Sequence, residues 1–207
     1  MKERYLYLDV THGYSLGLIE DDGWLFYESS PNKINVKELH IHLFHKLSPL
    51  GLKFKDLEGL IYPAGPGSYT GLRIMEGLAH TFLLFKKQIC TFYLHELPCL
   101  CGEEQGVWFA NAFKGEMFIY FWGKNLQQPK LLKFSDALDY LKGQELLFSH
   151  ELSLYPWIDE EGLGVVDTSA IIYQELPKLI IERKIFEMKE SFYYRKLEEE
   201  FKVSFHG

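Results

Sequence analysis

"AGPGSYTGLR", Ala64 to Arg73, joins "LEGLIYP" (57–63), which reads as a strand, to an apolar run that reads as a helix over 70–87. Three glycines, a proline and three hydroxyl-bearing residues at a strand-to-helix junction suggest a phosphate cradle. The spacing is wrong for the known cradles. Gly65, Gly67 and Gly71 give G-x-G-x-x-x-G, one residue longer than the dinucleotide fingerprint, and no lysine follows as a Walker loop requires. The next strand, "ICTFYL", ends at Leu94-His95 with no acidic residue for a ribose. Gly65-Pro66-Gly67 suits a sharp turn, with Gly67 expected at positive φ. Ser68 or Thr70 is placed to cap the helix. The segment Gly65, Pro66, Gly67, Ser68, Tyr69, Thr70 and Gly71 is therefore read as structural or anion-binding, with the structural turn favoured.

Working outward, "RYLYLDV" alternates Leu6 and Leu8 against Tyr5 and Tyr7, as a strand does. "YSLGLIE" and "GWLFYES" follow, the second after Asp21-Asp22-Gly23, a hairpin turn. Leu39, Leu43 and Leu47 recur every four residues and predict a helix. The order is βββαβαβ, that of a ribonuclease-H-like unit. The second half begins alike. "GVWFANAF" and "EMFIYFW" pair, "PKLLKF" offers a third strand, and a helix beginning at "SDALDYL" takes Ser135 as its cap. "ELLFS" is a strand and "TSAIIYQELPKLIIER" a helix bent at Pro177. "SFYYR" reads as a short closing strand with an exposed tail after it. The fold class is α/β, two ribonuclease-H-like lobes, 1–104 and 105–207, the second reduced.

The 207 residues carry a net charge of −7, so nucleic acid could be met only through a basic partner. Three cysteines, Cys90, Cys99 and Cys101, give neither a disulfide framework nor a zinc set. The charged start "MKERYLYLDV" is no signal peptide and no run is long enough for a membrane helix, so a cytoplasmic protein with no membrane contact is expected.

"GPGSYTGLRI" closely resembles the signature of the TsaB family, also called YeaZ, which supports synthesis of threonylcarbamoyladenosine on tRNA. Weaker likenesses follow in order from Leu6 to Arg195. They are the opening strand "LYLDVTHGYSLGLIEDDG", the lead-in "GLKFKDLEGLIYPAGPGS", the hairpin "NAFKGEMFIYFW" and the closing "SFYYRK". The chain departs from the pattern where Asn35-Val36 replaces His-Ser/Thr, Ala64 an arginine, Met75 a glycine, and Asn111-Ala112-Phe113 Asp-Ala-Arg. The resemblance implies an actin/Hsp70-type fold and a role without catalysis. The chain would bind and activate TsaD, which transfers the threonylcarbamoyl group to tRNA. Partners would be TsaD and the ATPase TsaE, with a homodimer in their absence and tRNA met only through the complex. No cofactor would be bound by this chain alone; ATP and a metal ion belong to the partners. TsaD itself holds a metal through two histidines on a helix beyond its glycine loop. Here that region offers His95 alone.

Asp9 ends the first strand, where actin-like kinases use an aspartate with magnesium; it is read as a vestige of that position. Two readings compete with the scaffold role: a small kinase or ATPase using Asp9 and the glycine loop, and, third, a glycoprotease-like hydrolase, against which the missing metal pair argues. In "HIHLFH", His42 and His45 share a helix face without a third ligand, and no metal site is assigned. On the second helix, Leu72, Met75, Ala79 and Phe82 form one face, Ile74, Leu78 and Phe85 another. One face needs the sheet and the other needs a partner or the second lobe. The partner or dimer surface is placed at Leu39, Leu43, Arg73, Met75, Glu76, Ala79 and His80.

Overall fold

The computed structural model describes residues 2–32, 34, 36–112, 115–123, 129–150, 152 and 155–194. Departures from the family pattern at Asn35 and Phe113, the turn residue Lys114 and the tail from Arg195 lie outside the described residues. Two five-stranded sheets form the frame. The first contains β1 (Arg4–Asp9), β2 (Tyr14–Glu20), β3 (Gly23–Ser30), β4 (Gly59–Pro63) and β5 (Gln88–Phe92), in the order β3-β2-β1-β4-β5. β1, β2 and β3 are an antiparallel meander; β4 and β5 run parallel to β1. The second contains β6 (Gly106–Asn111), β7 (Glu116–Trp122), β8 (Lys130–Lys133), β9 (Leu147–Ser149) and β10 (Val165–Asp167). Its order, β8-β7-β6-β9-β10, repeats the first sheet strand for strand, with the same directions.

The helices differ between the halves. In the first, α1 (Val36–Leu47) follows the meander, α2 (Tyr69–Leu84) links β4 to β5, and α3 (Leu97–Leu100) follows β5. In the second, α4 (Phe134–Leu141) and α6 (Thr168–Ile181) are substantial, but α5 (Trp157–Glu160), the counterpart of α2, is a single turn. The reduction in the second half is thus in its helices; its sheet is complete. Ser135 lies inside α4, whose N-cap is Lys133. The segment "SFYYR", expected as a strand, has no regular structure over its described residues 191–194. It is held instead by scattered bonds such as Phe192 N–H to the Ala64 carbonyl.

The alternation in β1 sorts side chains as the sequence predicts. Leu6 and Leu8 join Leu39, Met75, Ala79 and Phe82 in a cluster between the first sheet and α1/α2. Tyr5 and Tyr7 point the other way, into a core shared by both sheets with Trp108, Phe118, Phe148 and, from α6, Ile172 and Leu176. Pro177 lies inside α6 and has no N–H, so the Tyr173 carbonyl four residues earlier loses its helical partner. The Trp24 indole on β3 donates to that carbonyl at 2.7 Å. Among the described residues no helix is long and apolar enough to cross a membrane.

Candidate functional site

β1 and β9 come from different sheets, and the residues at their ends meet. Asp9 closes β1. Its Oδ1 accepts from the Thr11 N–H at 2.8 Å and the Thr11 hydroxyl at 2.7 Å, an Asx turn that presents His12. His150 follows the last residue of β9, and its Nε2 lies 3.4 Å from Asp9 Oδ2. Both side chains are deeply buried, at 3% exposure for Asp9 and 2% for His150. The His12 and His150 rings meet edge to face, with centroids 5.2 Å apart.

Hydroxyl groups flank the Nδ1 atoms of both rings. The Thr168 hydroxyl donates its one hydrogen to the Ser149 carbonyl, so at 3.2 Å from His150 Nδ1 it accepts. The Thr11 hydroxyl, spent on Asp9, likewise accepts from His12 Nδ1 at 3.0 Å. Ser169 Oγ lies 3.3 Å from the same His150 Nδ1, and His150 Nε2 faces Asp9 Oδ2. His12 Nε2 accepts from the Tyr194 hydroxyl at 3.1 Å. Burial raises the pKa of that hydroxyl, which therefore stays protonated. Burial alone would raise Asp9 too, but the His150 and His12 rings and the Thr11 hydroxyl outweigh it and hold the carboxyl below its usual range. One donor atom from each of Asp9, His12 and His150 lies within 4.8 Å of the others, a set of metal-ligating types.

The glycine loop lies beside this cluster and is closed by the chain itself. Ser68 caps α2, its Oγ accepting from the Gly71 N–H at 3.1 Å, and its own N–H goes to the Thr11 carbonyl at 3.0 Å. Those two amides are therefore not available to a phosphate. A Cβ on Gly71 would sit 2.3 Å from the Val10 carbonyl oxygen. Gly65, at φ +114°, is the loop residue in the left-handed region, not Gly67. Gly67 is constrained by approach instead: a Cβ there would lie 2.5 Å from that of Thr11. Pro66 is buried; Tyr69 and Thr70 open α2 on its exposed side.

The expected partner surface needs correction. Leu39, Met75 and Ala79 are buried in the cluster between the first sheet and its two helices, so they cannot meet a partner in this arrangement. The Met75/Ala79/Phe82 face of α2 meets the sheet, Leu72 is buried as well, and Leu43 packs half-buried against the same cluster. Arg73 and Glu76, ion-paired at 2.6 Å, are met by Tyr193 of this same chain, whose hydroxyl is 3.5 Å from Glu76. His80 is exposed, and its Nδ1 lies 2.9 Å from the Glu76 carbonyl. Of the second apolar face, Ile74 and Leu78 pack half-buried against the same first-half cluster, while Leu83, Leu84 and Phe85 at the end of α2 are exposed, Leu84 to 83%. Ile41 and Phe44 of α1 are exposed as well.

The α1 histidines gather no metal set among the described residues. His42 bonds Glu28, as do Lys46 and Tyr14. Burial would raise the Glu28 pKa, but these bonds prevail and lower it to about 2. His95 lies in the shared core within an aromatic cage, its ring 4.3 Å from Tyr120 and 5.3 Å from Phe192. Burial, with the Lys189 charge, lowers its pKa to about 3. Sequence reasoning does not single out His12 or His150. The strand "ELLFS" carries the signal that could find the second of them: it corresponds to β4, so the residue after it falls where the glycine loop begins in the first half.

No protein-family model matches the sequence, and no curated protein matches it. Solved structures do match in shape. A Pseudomonas aeruginosa protein described as similar to the peptidase YeaZ superposes with a TM-score of 0.62. The two share 13% identity, over 93% of this chain and 100% of that one. YeaZ from Pseudomonas aeruginosa gives 0.56 at 14% identity, over 88% of this chain and 93% of that one. The chain has the fold of these proteins, two α/β halves whose five-stranded sheets share one strand order.

Proposed function

We propose that this chain is a divergent TsaB-type subunit, which binds and activates TsaD for transfer of the threonylcarbamoyl group to tRNA adenosine next to the anticodon. The observation that carries the reading is the Gly65–Gly71 loop. It resembles the family signature in sequence, and here it is a packed joint with its Ser68 and Gly71 amides bonded inside the chain. A scaffold needs such a joint; a phosphate-binding enzyme needs those amides free. The two-lobed fold shared with YeaZ-like structures agrees. The partner would dock on the outer side of α1 and α2, where Ile41, Phe44, Leu83, Leu84 and Phe85 expose apolar surface. In this role the chain supplies shape and no reacting group; cofactor chemistry and the TsaE ATPase belong to the partners, and tRNA reaches the chain only through the complex.

The test is reconstitution with the TsaD and TsaE of the same cell. tRNA modification is expected to require this chain, and Leu84→Glu is expected to weaken its association with TsaD, or its homodimer, without altering its circular dichroism. A glutamate at so exposed a position leaves the core intact, and each tenfold in affinity corresponds to about 1.4 kcal/mol. Failure of the wild-type chain to associate with TsaD would sink the proposal. ATP turnover by the isolated chain, abolished by Asp9→Ala, would replace it with the kinase reading.

A further inference from the structure

We propose that Asp9, His12 and His150 form a binding site for a divalent transition-metal ion of the zinc class, where β1 and β9 end. The inference is independent of the partner reading.

Three observations converge. The first is the spacing. Zinc binds nitrogen at about 2.0–2.1 Å and carboxylate oxygen at about 2.0–2.2 Å, so two ligands of a tetrahedral ion stand about 3.4 Å apart. His150 Nε2 and Asp9 Oδ2 are 3.4 Å apart. A charge-assisted hydrogen bond would draw them to about 2.7–2.9 Å. Asp9 Oδ2 is buried and accepts no hydrogen bond among the described residues, although its Oδ1 accepts two. The second is the surroundings of the rings: Thr168 and Ser169 hydroxyls flank His150 Nδ1 and the Thr11 hydroxyl flanks His12 Nδ1, the position that outer partners take at metal sites. The third is the grouping: one donor atom from each of Asp9, His12 and His150 lies within 4.8 Å of the others.

The donor set selects the ion. Two imidazoles and one carboxylate suit zinc, iron, nickel or copper. Magnesium and calcium prefer oxygen throughout, so this site is distinct from a phosphate-bound magnesium position. His12 is half-buried on the β1–β2 turn. To complete the triad its Nε2 moves off the Tyr194 hydroxyl, and water takes the fourth position.

The experiment uses the untagged full chain, stripped with chelator and titrated with Co²⁺. Visible d–d absorption, competition by Zn²⁺ and the melting temperature with and without Zn²⁺ are recorded. A single equivalent of Co²⁺ is expected, displaced by Zn²⁺, with a rise in melting temperature. His12→Ala, on the accessible turn, is expected to abolish the spectrum while leaving the fold intact by circular dichroism. Thr168→Val, which removes one of the two hydroxyls beside His150 Nδ1, is expected to weaken binding about 10-fold, the low end of the usual range for an outer partner. The double variant Cys99→Ser/Cys101→Ser is expected to bind as wild type. The proposal is overturned if millimolar Co²⁺ gives no spectrum, if His12→Ala binds unchanged, or if the cysteine variant loses the metal.

Discussion

The two sheets have the same strand order, β3-β2-β1-β4-β5 and β8-β7-β6-β9-β10, yet the connections after their fourth strands differ. After β4 the chain makes a glycine joint and a sixteen-residue helix; after β9 it passes through His150 to a four-residue turn of helix. Topology therefore sets where backbone ends converge, and local sequence decides what converges there. In the first half it is a packed joint, in the second a polar side chain facing the other sheet's aspartate.

The comparison breaks most sharply at the joint. Gly71→Ala should destabilise the fold by about 3 kcal/mol, since its Cβ would meet the Val10 carbonyl and Thr11 Cα, which are backbone atoms and cannot rotate away. Urea unfolding measures this. A loss under ~0.5 kcal/mol would show that the joint is not tightly set, and the contrast with β9 would dissolve.

The first half is well legible in the sequence because its elements are long enough for periodicity to speak. Leu6 and Leu8 against Tyr5 and Tyr7, and the leucines of α1, each fix a face. β10 and α5 escape such a reading, since three or four residues carry no period. Met75 falls on the wrong side of α2 in the sequence reading for a different reason: both faces of that helix are apolar, and the pattern alone does not say which meets the sheet. His150 can be placed only once the second sheet is known to repeat the first. Asp9 is legible as a strand end, and its partners are not.

A second test concerns the seam between the halves. His95, contributed by the first half, is caged by Trp108, Phe118 and Tyr120 of the second. Its pKa falls from an ordinary 6.5 to about 3, so between these values the unfolded chain binds more protons than the folded one. Stability contributed by the neutral ring is complete above pH 6.5 and is lost as pH falls toward 3. His95→Leu should flatten the melting-temperature profile over that window. An unchanged slope there would mean that the seam is not where acid acts.

The smallest expected effect sharpens the picture of α2 as pinned at one end and open at its middle. Gly77 is exposed and helical, and a Cβ there would have nothing within 4 Å of it. Gly77→Ala should therefore stabilise the protein by about 0.5–1 kcal/mol, through the helix propensity of alanine. Calorimetry showing destabilisation would place an unseen neighbour against that surface.

The proline in α6 works as a key. A regular helix offers carbonyls that are all engaged, so a neighbouring indole would find no angular setting better than another. By deleting a single rung, Pro177 exposes one acceptor, at Tyr173, and Trp24 reads it. Rotating the helix by one residue, about 100°, would carry that acceptor out of reach. The joint between α6 and the first sheet is thereby indexed, with one rotational phase singled out from a continuum that greasy packing alone would leave nearly degenerate.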